Sequence, residues 1–450
     1  MKWNFWRRWL NAAQKRKFLY NVTLLTGGTA VGQGLFILLS PLLSRLYSPE
    51  AFGVFGVFVS TTGLLVSVAT LRYELAIPLP SREEDARALA WAGALGAGLF
   101  SLLLFAMALW VGPRYLHLFN IHLAKAEQED WFLLALPFGV GVFSLSQVLV
   151  YLLIRLKRYH ALAGSKVASG GVTVLTQLGV GIGRLGGGGL IVGWILGRLA
   201  AVGVCIKAVG LSENAANPSP QAFFPEVKRL FRQMRRFARF PLLTMPAGLM
   251  NATAVELPLL MSASLFGPQI TGWFTFARRV VYGPMSLLGR SVSQVYIGAL
   301  SEAIKRRDRS ALRLFDRLSR RLFLLAVAPF SLLVLIAPWL FRWVFGSAWY
   351  ASGLLVQYLA PAYLLHFVVV PLSQTLNLLE RQDWQMGWDL TRLLLIAGVF
   401  LWADKLAWDF KHTFAVYSLI STLMYLAFYI LMRKALIHRV APPEKKEKDS

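Results

Sequence analysis

The chain has 450 residues, of which 56% are hydrophobic and only 15% charged, with a mean hydropathy of +0.54. Soluble domains carry roughly 45–50% apolar and about 25% charged residues, so a soluble enzyme, a disordered chain and a coiled coil are excluded. The 47 Lys and Arg against 22 Asp and Glu leave a formal charge of +25, and the single cysteine, Cys205, rules out an intrachain disulfide and a thiolate metal cluster.

A hydrocarbon core about 30 Å thick takes about 20 apolar residues per helix. Runs of that kind fall near 19–43, 52–71, 89–111, 131–153, 167–182, 190–209, 240–266, 271–300, 322–344, 353–379, 384–402 and 410–432, which predicts an all-α polytopic membrane protein of about twelve spans. Counting Lys and Arg by face places 36 on the side of the N-terminus, including Arg381 and Arg392, seven on the other side and four inside the runs. By the positive-inside rule both termini are expected in the cytoplasm. Trp3, Trp6 and Leu10 recur at helical spacing among basic residues, so residues 1–18 read either as an interfacial helix on the inner leaflet or as a disordered basic leader. Residues 433–450 read as a solvated cytoplasmic tail.

Leu46-Tyr-Ser-Pro49-Glu50-Ala-Phe-Gly53-Val-Phe55 is echoed at Leu265-Phe-Gly-Pro268-Gln269-Ile-Thr-Gly272-Trp-Phe274, an offset of 219 residues. Both segments stand at the turn from one span into the next. With six spans per unit, the halves enter the membrane from the same side, the parallel-repeat arrangement in which a substrate site lies between two bundles. The expected division is 19–209 and 240–432 as two six-helix bundles, joined by a cytoplasmic linker at 210–239 that carries Asn217-Pro-Ser-Pro220 and a basic helix.

Several motifs fail on context. Gly181-Ile-Gly183-Arg-Leu-Gly186 matches a dinucleotide fingerprint but joins two apolar runs instead of a strand and a helix. There is no Gly-Lys dipeptide and hence no P-loop, and His117, His122, His160, His366, His412 and His438 are scattered without a ligand pattern, so neither cofactor nor metal is expected. The basic residues are spread over seven segments, which argues against a nucleic-acid partner.

The informative residues are charges at membrane depth. Each costs about 2.5–3.5 kcal/mol on insertion scales and should face a polar cavity or a partner. Glu256 falls near the middle of the seventh run, Arg278, Arg279 and Arg290 lie in the eighth, and Arg198 lies mid-run in the sixth. On a helical wheel Arg279 and Arg290 share a face, with Arg278 turned toward a neighbouring helix. Two roles stay open for Glu256: locking the seventh helix to the eighth through an arginine, or coupling transport to a proton or sodium ion. Arg45, Arg72 and Glu74 sit at helix ends, where snorkelling also accounts for them. Excess guanidinium predicts an anionic substrate, since its donor fork matches phosphate oxygens.

Pro41-Leu-Leu-Ser-Arg45-Leu-Tyr-Ser-Pro49-Glu50-Ala-Phe-Gly53, Thr70-Leu-Arg72-Tyr-Glu74-Leu-Ala-Ile-Pro78, Phe276-Ala-Arg278-Arg279-Val and Ser291-Val-Ser-Gln294-Val together resemble the polysaccharide-transporter family of O-antigen and oligosaccharide flippases, in the superfamily of MATE exporters and lipid II flippases. The resemblance covers about residues 20–430. It implies two six-helix bundles around a central cavity that opens alternately to either side of a bacterial inner membrane. It implies an undecaprenyl-diphosphate-linked oligosaccharide as substrate, membrane lipids as surroundings, and a polymerase and glycosyltransferases as pathway partners. It also implies cavity roles for Arg45, Arg72, Arg278, Arg279 and Arg290; Arg198 joins them as a substrate-binding candidate, and Glu74 joins Glu256 as a coupling candidate. The alternatives are MATE-type export, disfavoured because those substrates are usually cationic, and a membrane glycosyltransferase or O-antigen ligase, for which the 112–130 segment with His117, His122, Glu127, Glu129 and Asp130 is the place to look.

Overall fold

The computed structural model describes residues 27–111, 126–210, 226–305 and 309–440. The expected interfacial helix at 1–18, the stretch with His117 and His122, residues 211–225 of the linker and the end of the tail lie outside the described residues. Among those described there is no strand. The helices are α1 (Gly27–Leu46), α2 (Pro49–Ala69), α3 (Glu83–Val111), α4 (Ala126–Arg155), α5 (Tyr159–Ile182), α6 (Gly189–Gly210), α7 (Val227–Arg236), α8 (Met245–Lys305), α9 (Ser310–Phe345), α10 (Tyr350–Val369), α11 (Gln374–Leu378), α12 (Gln382–Lys405) and α13 (Phe410–Val440).

Ten described stretches are long and apolar enough to cross a bilayer. The difference from twelve has two sources. One stretch, Phe240–Ile304, covers both the seventh and eighth runs. The 24-residue α5, rich in Gly, Ser and Thr, is long enough but is not among the ten. Within α8 the break falls at Gly267, whose φ of 78° and ψ of −177° separate two helical segments. That conformation is open to glycine and costly for a residue with a Cβ.

The chain divides into two compact units, Met1–Thr275 and Phe276–Ser450. In the first, α2 starts from a Ser48 cap whose hydroxyl accepts the Ala51 N–H at 3.4 Å, with Pro49 preset for the first turn and Glu50 beside the positive helix end. Its small residues Gly53, Gly56, Ser60 and Gly63 recur at helical spacing, as in helices that approach a neighbour backbone to backbone. The neighbour is α8. A Cβ on Gly53 would overlap the Pro268 carbonyl, a Cβ on Gly272 would overlap the Pro49 carbonyl, and Gly56 stands against Thr275. The 219-residue offset maps the first of these pairs onto the second, and Gly56 stands against its own counterpart, so the repeated motif packs against its own copy about a local pseudo-two-fold. Elsewhere in this unit α4 packs on α2, α3 and α6, with Phe58 edge-on to Phe132 and Trp194 at 5.8 and 5.6 Å.

The short basic helix α7 uses its apolar side. Leu230 and Met234 cover the core built from Tyr73, Ile77, Leu89, Leu153 and Cys205, while Arg229 pairs with Glu84 and Tyr73 donates to the Met234 carbonyl at 3.3 Å.

In the second unit α9 and α10 form a hairpin and α10 lies along α13. Two aromatic groups fill the core. Phe276 packs with Phe341, Phe345 and Trp349, the last at 4.2 Å. Trp388 stacks on Phe428 at 4.1 Å and donates its indole N–H to the Met424 carbonyl at 3.0 Å.

Candidate functional site

In the first unit three contacts fix how α2 meets the leading part of α8: Gly53 with Pro268, Ser60 with Glu256, and Arg72, just beyond α2, with Gly248. One residue number rises as the other falls, so the helices run antiparallel. Glu256 stands midway along this pairing. Its Oε2 accepts the Ser60 hydroxyl at 2.7 Å, and Gly63 lies one turn further along the same face of α2. A carboxylate held by a charge-assisted hydrogen bond keeps acceptor capacity for a proton or cation.

Just beyond the end of α2 the chain turns through Leu71 and Arg72, both left-handed, with φ of 53° and 59°. The turn folds the Arg72 guanidinium back over Gly248, where any side chain would collide with it. Arg72 Nη1 lies 3.7 Å from Glu74 Oε1, and the buried Glu74 accepts the Thr70 hydroxyl at 2.5 Å through its other oxygen. Arg72 Nε is buried without a hydrogen-bond partner among the described residues, so this guanidinium retains an uncommitted donor.

In the second unit a cavity of about 210 Å³ opens between α8, α10 and the chain entering α11. From α8 its wall takes Tyr282, Ser286 and Arg290; from the other elements it takes His366 and Gln374. Arg278 stands one turn before Tyr282, its guanidinium carbon 6.0 Å from that ring. On the α8 wall Tyr282, Ser286 and Arg290 follow at spacing four, a row that drifts about 40° per step along one ridge of the helix, and Arg278 precedes the wall by one such step. Arg290 is the arginine of this cavity wall, and Arg278, twelve residues earlier, stands about 120° away around the helix.

The remaining candidates stand apart. Arg45 is exposed near the end of α1. Arg198 lies over the rings of Phe143 at 4.3 Å and Trp194 at 5.1 Å, where cation–π attraction accommodates its charge among the helices of the first unit. Arg279 is half-buried on α8. Arg392, counted with the inner-face charges, sits well inside α12 over Trp388 at 5.2 Å. The sequence alone does not single out Ser60 in the first unit, or His366 and Tyr282 in the second. The four-residue spacing from Arg278 to Arg290 is a signal that finds Tyr282; for Ser60 and His366, each isolated on an apolar helix, there is none.

A family described as "Polysaccharide biosynthesis protein" matches residues 42–353. The chain belongs to this family. Its fold is similar to those of solved MOP-superfamily transporters. The lipid II flippase MurJ in an inward closed conformation aligns with a TM-score of 0.71 at 10% identity, covering 94% of this chain and 90% of that one. An inward-facing multidrug-resistance MATE transporter aligns at 0.65 and 12% identity over 92% and 95%. A MOP-superfamily transporter from Pyrococcus furiosus, described as having a binding pocket of reverse polarity, aligns at 0.55 and 12% identity over 94% and 96%. No curated protein matches the chain in sequence. The protein is thus a multi-pass membrane member of a polysaccharide biosynthesis family with the fold of MATE transporters and the lipid II flippase.

Proposed function

We propose that the protein moves an undecaprenyl-diphosphate-linked oligosaccharide, a repeat unit of O-antigen or another surface polysaccharide, from the inner to the outer leaflet of a bacterial plasma membrane by alternating access. The observation that carries this reading is the placement of Arg278, Arg279 and Arg290 on the apolar stretch of α8 that follows the Gly267 break, in a chain of a polysaccharide biosynthesis family. Guanidinium groups in a low-dielectric setting favour a phosphate-bearing ligand, to which they offer bidentate donors. Arg72, with its uncommitted Nε, extends the same chemistry into the first unit. Glu256 takes the coupling role, since an acid at this depth holds or releases a proton or sodium ion as the gradient directs. Both termini lie in the cytoplasm, and glycosyltransferases and a polymerase of one pathway supply and consume the substrate.

MATE-type export is the competing reading that the fold allows. The arginine row speaks against it, because a cationic drug meets repulsion there. The deciding experiment reconstitutes the purified chain in proteoliposomes with a fluorescent undecaprenyl-diphosphate-linked glycan and follows its access to a membrane-impermeant lectin. Protein-dependent transfer between leaflets is the expected result; formation of a new glycan product without transfer supports the enzyme reading instead.

A further inference from the structure

Each unit carries an apolar cleft that involves no residue of α8. In the first unit a cleft of about 330 Å³ lies between α3, α4 and α6, and in the second one of about 290 Å³ lies between α9, α10 and α13. Corresponding residues build the two. Leu145, Val148 and Leu149 of α4 line the first, and Leu365, Val368 and Val369 of α10, each 220 residues later, line the second. Ile206 and Val209 of α6 stand in the same relation to Leu426 and Tyr429 of α13. That offset is within one residue of the 219 that relates the Pro49 and Pro268 motifs. The third wall has another offset but the same stripe. Arg87, Ala90, Trp91 and Ala94 on α3, like Asp316, Ser319, Arg320 and Phe323 on α9, follow at i, i+3, i+4 and i+7, one face of a helix. The cleft therefore belongs to the repeat, since an accidental surface hollow does not recur on equivalent residues of equivalent helices.

Length, lining and charge decide the occupant. The α3 and α9 walls each span seven residues, about 10 Å, against about 15 Å for half of a hydrocarbon core. Ile206 and Leu426, 50% and 45% exposed on membrane-length helices, edge the openings. The charged groups gather at one end of each cleft. In the first, Glu83 accepts two N–H groups of Arg87 at 3.2 and 2.9 Å and Glu84 holds Arg229 of α7, so the acids of this rim are matched. Lys228, Arg232, Arg235 and Arg236 of α7 are exposed beside that pair. In the second, Arg433 clasps Asp316 through Nε at 3.0 Å and Nη2 at 3.3 Å, and Arg320 stands exposed. A sugar finds no hydrogen-bonding group along the aliphatic length of either cleft, and a cationic amphiphile meets repulsion at the rim. An acyl chain below an anionic headgroup matches both ends. A lipid-linked substrate brings a single tail, whereas the repeat supplies two like clefts, which favours a lipid resident in the membrane.

We propose that each cleft is a binding site for one anionic phospholipid of the surrounding membrane, an acyl chain lying along the apolar walls and the headgroup phosphate at the basic rim. Neither site uses a residue assigned to the substrate or to coupling, so the proposal stands apart from the translocation reading.

The test is native mass spectrometry of the full chain in detergent with added phosphatidylglycerol. Two lipids per chain are expected to outlast the rest. Ala94→Trp fills the first cleft and Leu426→Trp the second, so each is expected to retain one lipid and the double variant none. Leu99→Trp, on α3 but outside the cleft and 68% exposed, is expected to retain two. Arg320→Gln is expected to weaken one of the two phosphatidylglycerol sites several-fold and to leave phosphatidylcholine binding as it was. Should a filled variant unfold, Arg320→Gln still decides. Two lipids retained in both filled variants, an equal loss in Leu99→Trp, unchanged affinity in Arg320→Gln, or no preference over phosphatidylcholine overturns the proposal. Displacement of both lipids by undecaprenyl diphosphate overturns it too and assigns the clefts to the substrate's tail. Because phosphatidylglycerol is the probe, failure of binding leaves the translocation reading standing.

Discussion

Alanine at Gly53 puts a methyl carbon onto the carbonyl of Pro268, and alanine at Gly272 puts one onto the carbonyl of Pro49. In each case the obstacle is backbone, which cannot rotate aside as a side chain can. Inserting a methyl into filled space costs about 1–3 kcal/mol. Within a helix the same change also gains about 1 kcal/mol of intrinsic propensity, so it has to be referred to a glycine with room. Gly98 on α3 is such a position, with nothing within 4 Å of where its methyl would stand. Gly53→Ala is therefore expected to be less stable than Gly98→Ala by about 1–3 kcal/mol. The assay is thermal or denaturant unfolding of the purified chain in detergent, followed by tryptophan fluorescence. Because the two glycines share one crossing, the double variant Gly53→Ala with Gly272→Ala is expected to depart from the sum of the single costs. If Gly53→Ala and Gly98→Ala unfold at the same midpoint, the close approach of the two repeat motifs is refuted.

Four further outcomes follow. Glu256→Gln keeps an acceptor for Ser60 and removes the charge, so the chain is expected to fold while its transport loses dependence on proton or sodium gradients; a wild-type gradient response removes the coupling role. Arg72→Gln takes the ion partner from Glu74 and is expected to lower stability by about 1–2 kcal/mol, which an unchanged unfolding midpoint contradicts. Trp388→Ala removes the ring stacked on Phe428 and should cost about 3–5 kcal/mol, measured in the same way. Asp409 caps α13 through the His412 backbone N–H at 2.9 Å, and that bond holds its carboxyl below the ordinary carboxylate range. A depressed carboxyl stabilises fully above its unfolded pKa and loses that contribution as pH falls through the folded value. Asp409→Ala should therefore lower the unfolding midpoint at pH 7, by about 0.5–1 kcal/mol for an exposed cap, and match the parent once the pH lies below both values.

Apolar run length makes the membrane helices legible, because a bilayer imposes one length on each span. In the sequence α8 reads as two runs, near 240–266 and 271–300, and the Gly267 break falls in the gap between them. The repeat is legible as well, although its reason is not. Pro49, Gly53, Pro268 and Gly272 recur because each motif packs on the other, and a sequence offset carries no information about contact. Arg278, Arg279, Arg290 and Glu256 stand out because charge is expensive at membrane depth. Ser60 and His366 do not, since a hydroxyl or a neutral imidazole costs little to place and draws its role from its neighbours. Arg198 looks like Arg290 in the sequence. The rings of Phe143 and Trp194, one on a distant helix and the other one turn away, distinguish them.

The most direct test of the central claim is the leaflet-to-leaflet rate of an undecaprenyl-diphosphate-linked glycan in proteoliposomes, compared between the parent chain and Arg279→Gln combined with Arg290→Gln. The account predicts protein-dependent transfer in the parent and at least a tenfold slower rate in the double variant at equal reconstituted protein. A parent chain that leaves the glycan in its original leaflet, or a double variant that matches it, contradicts the account.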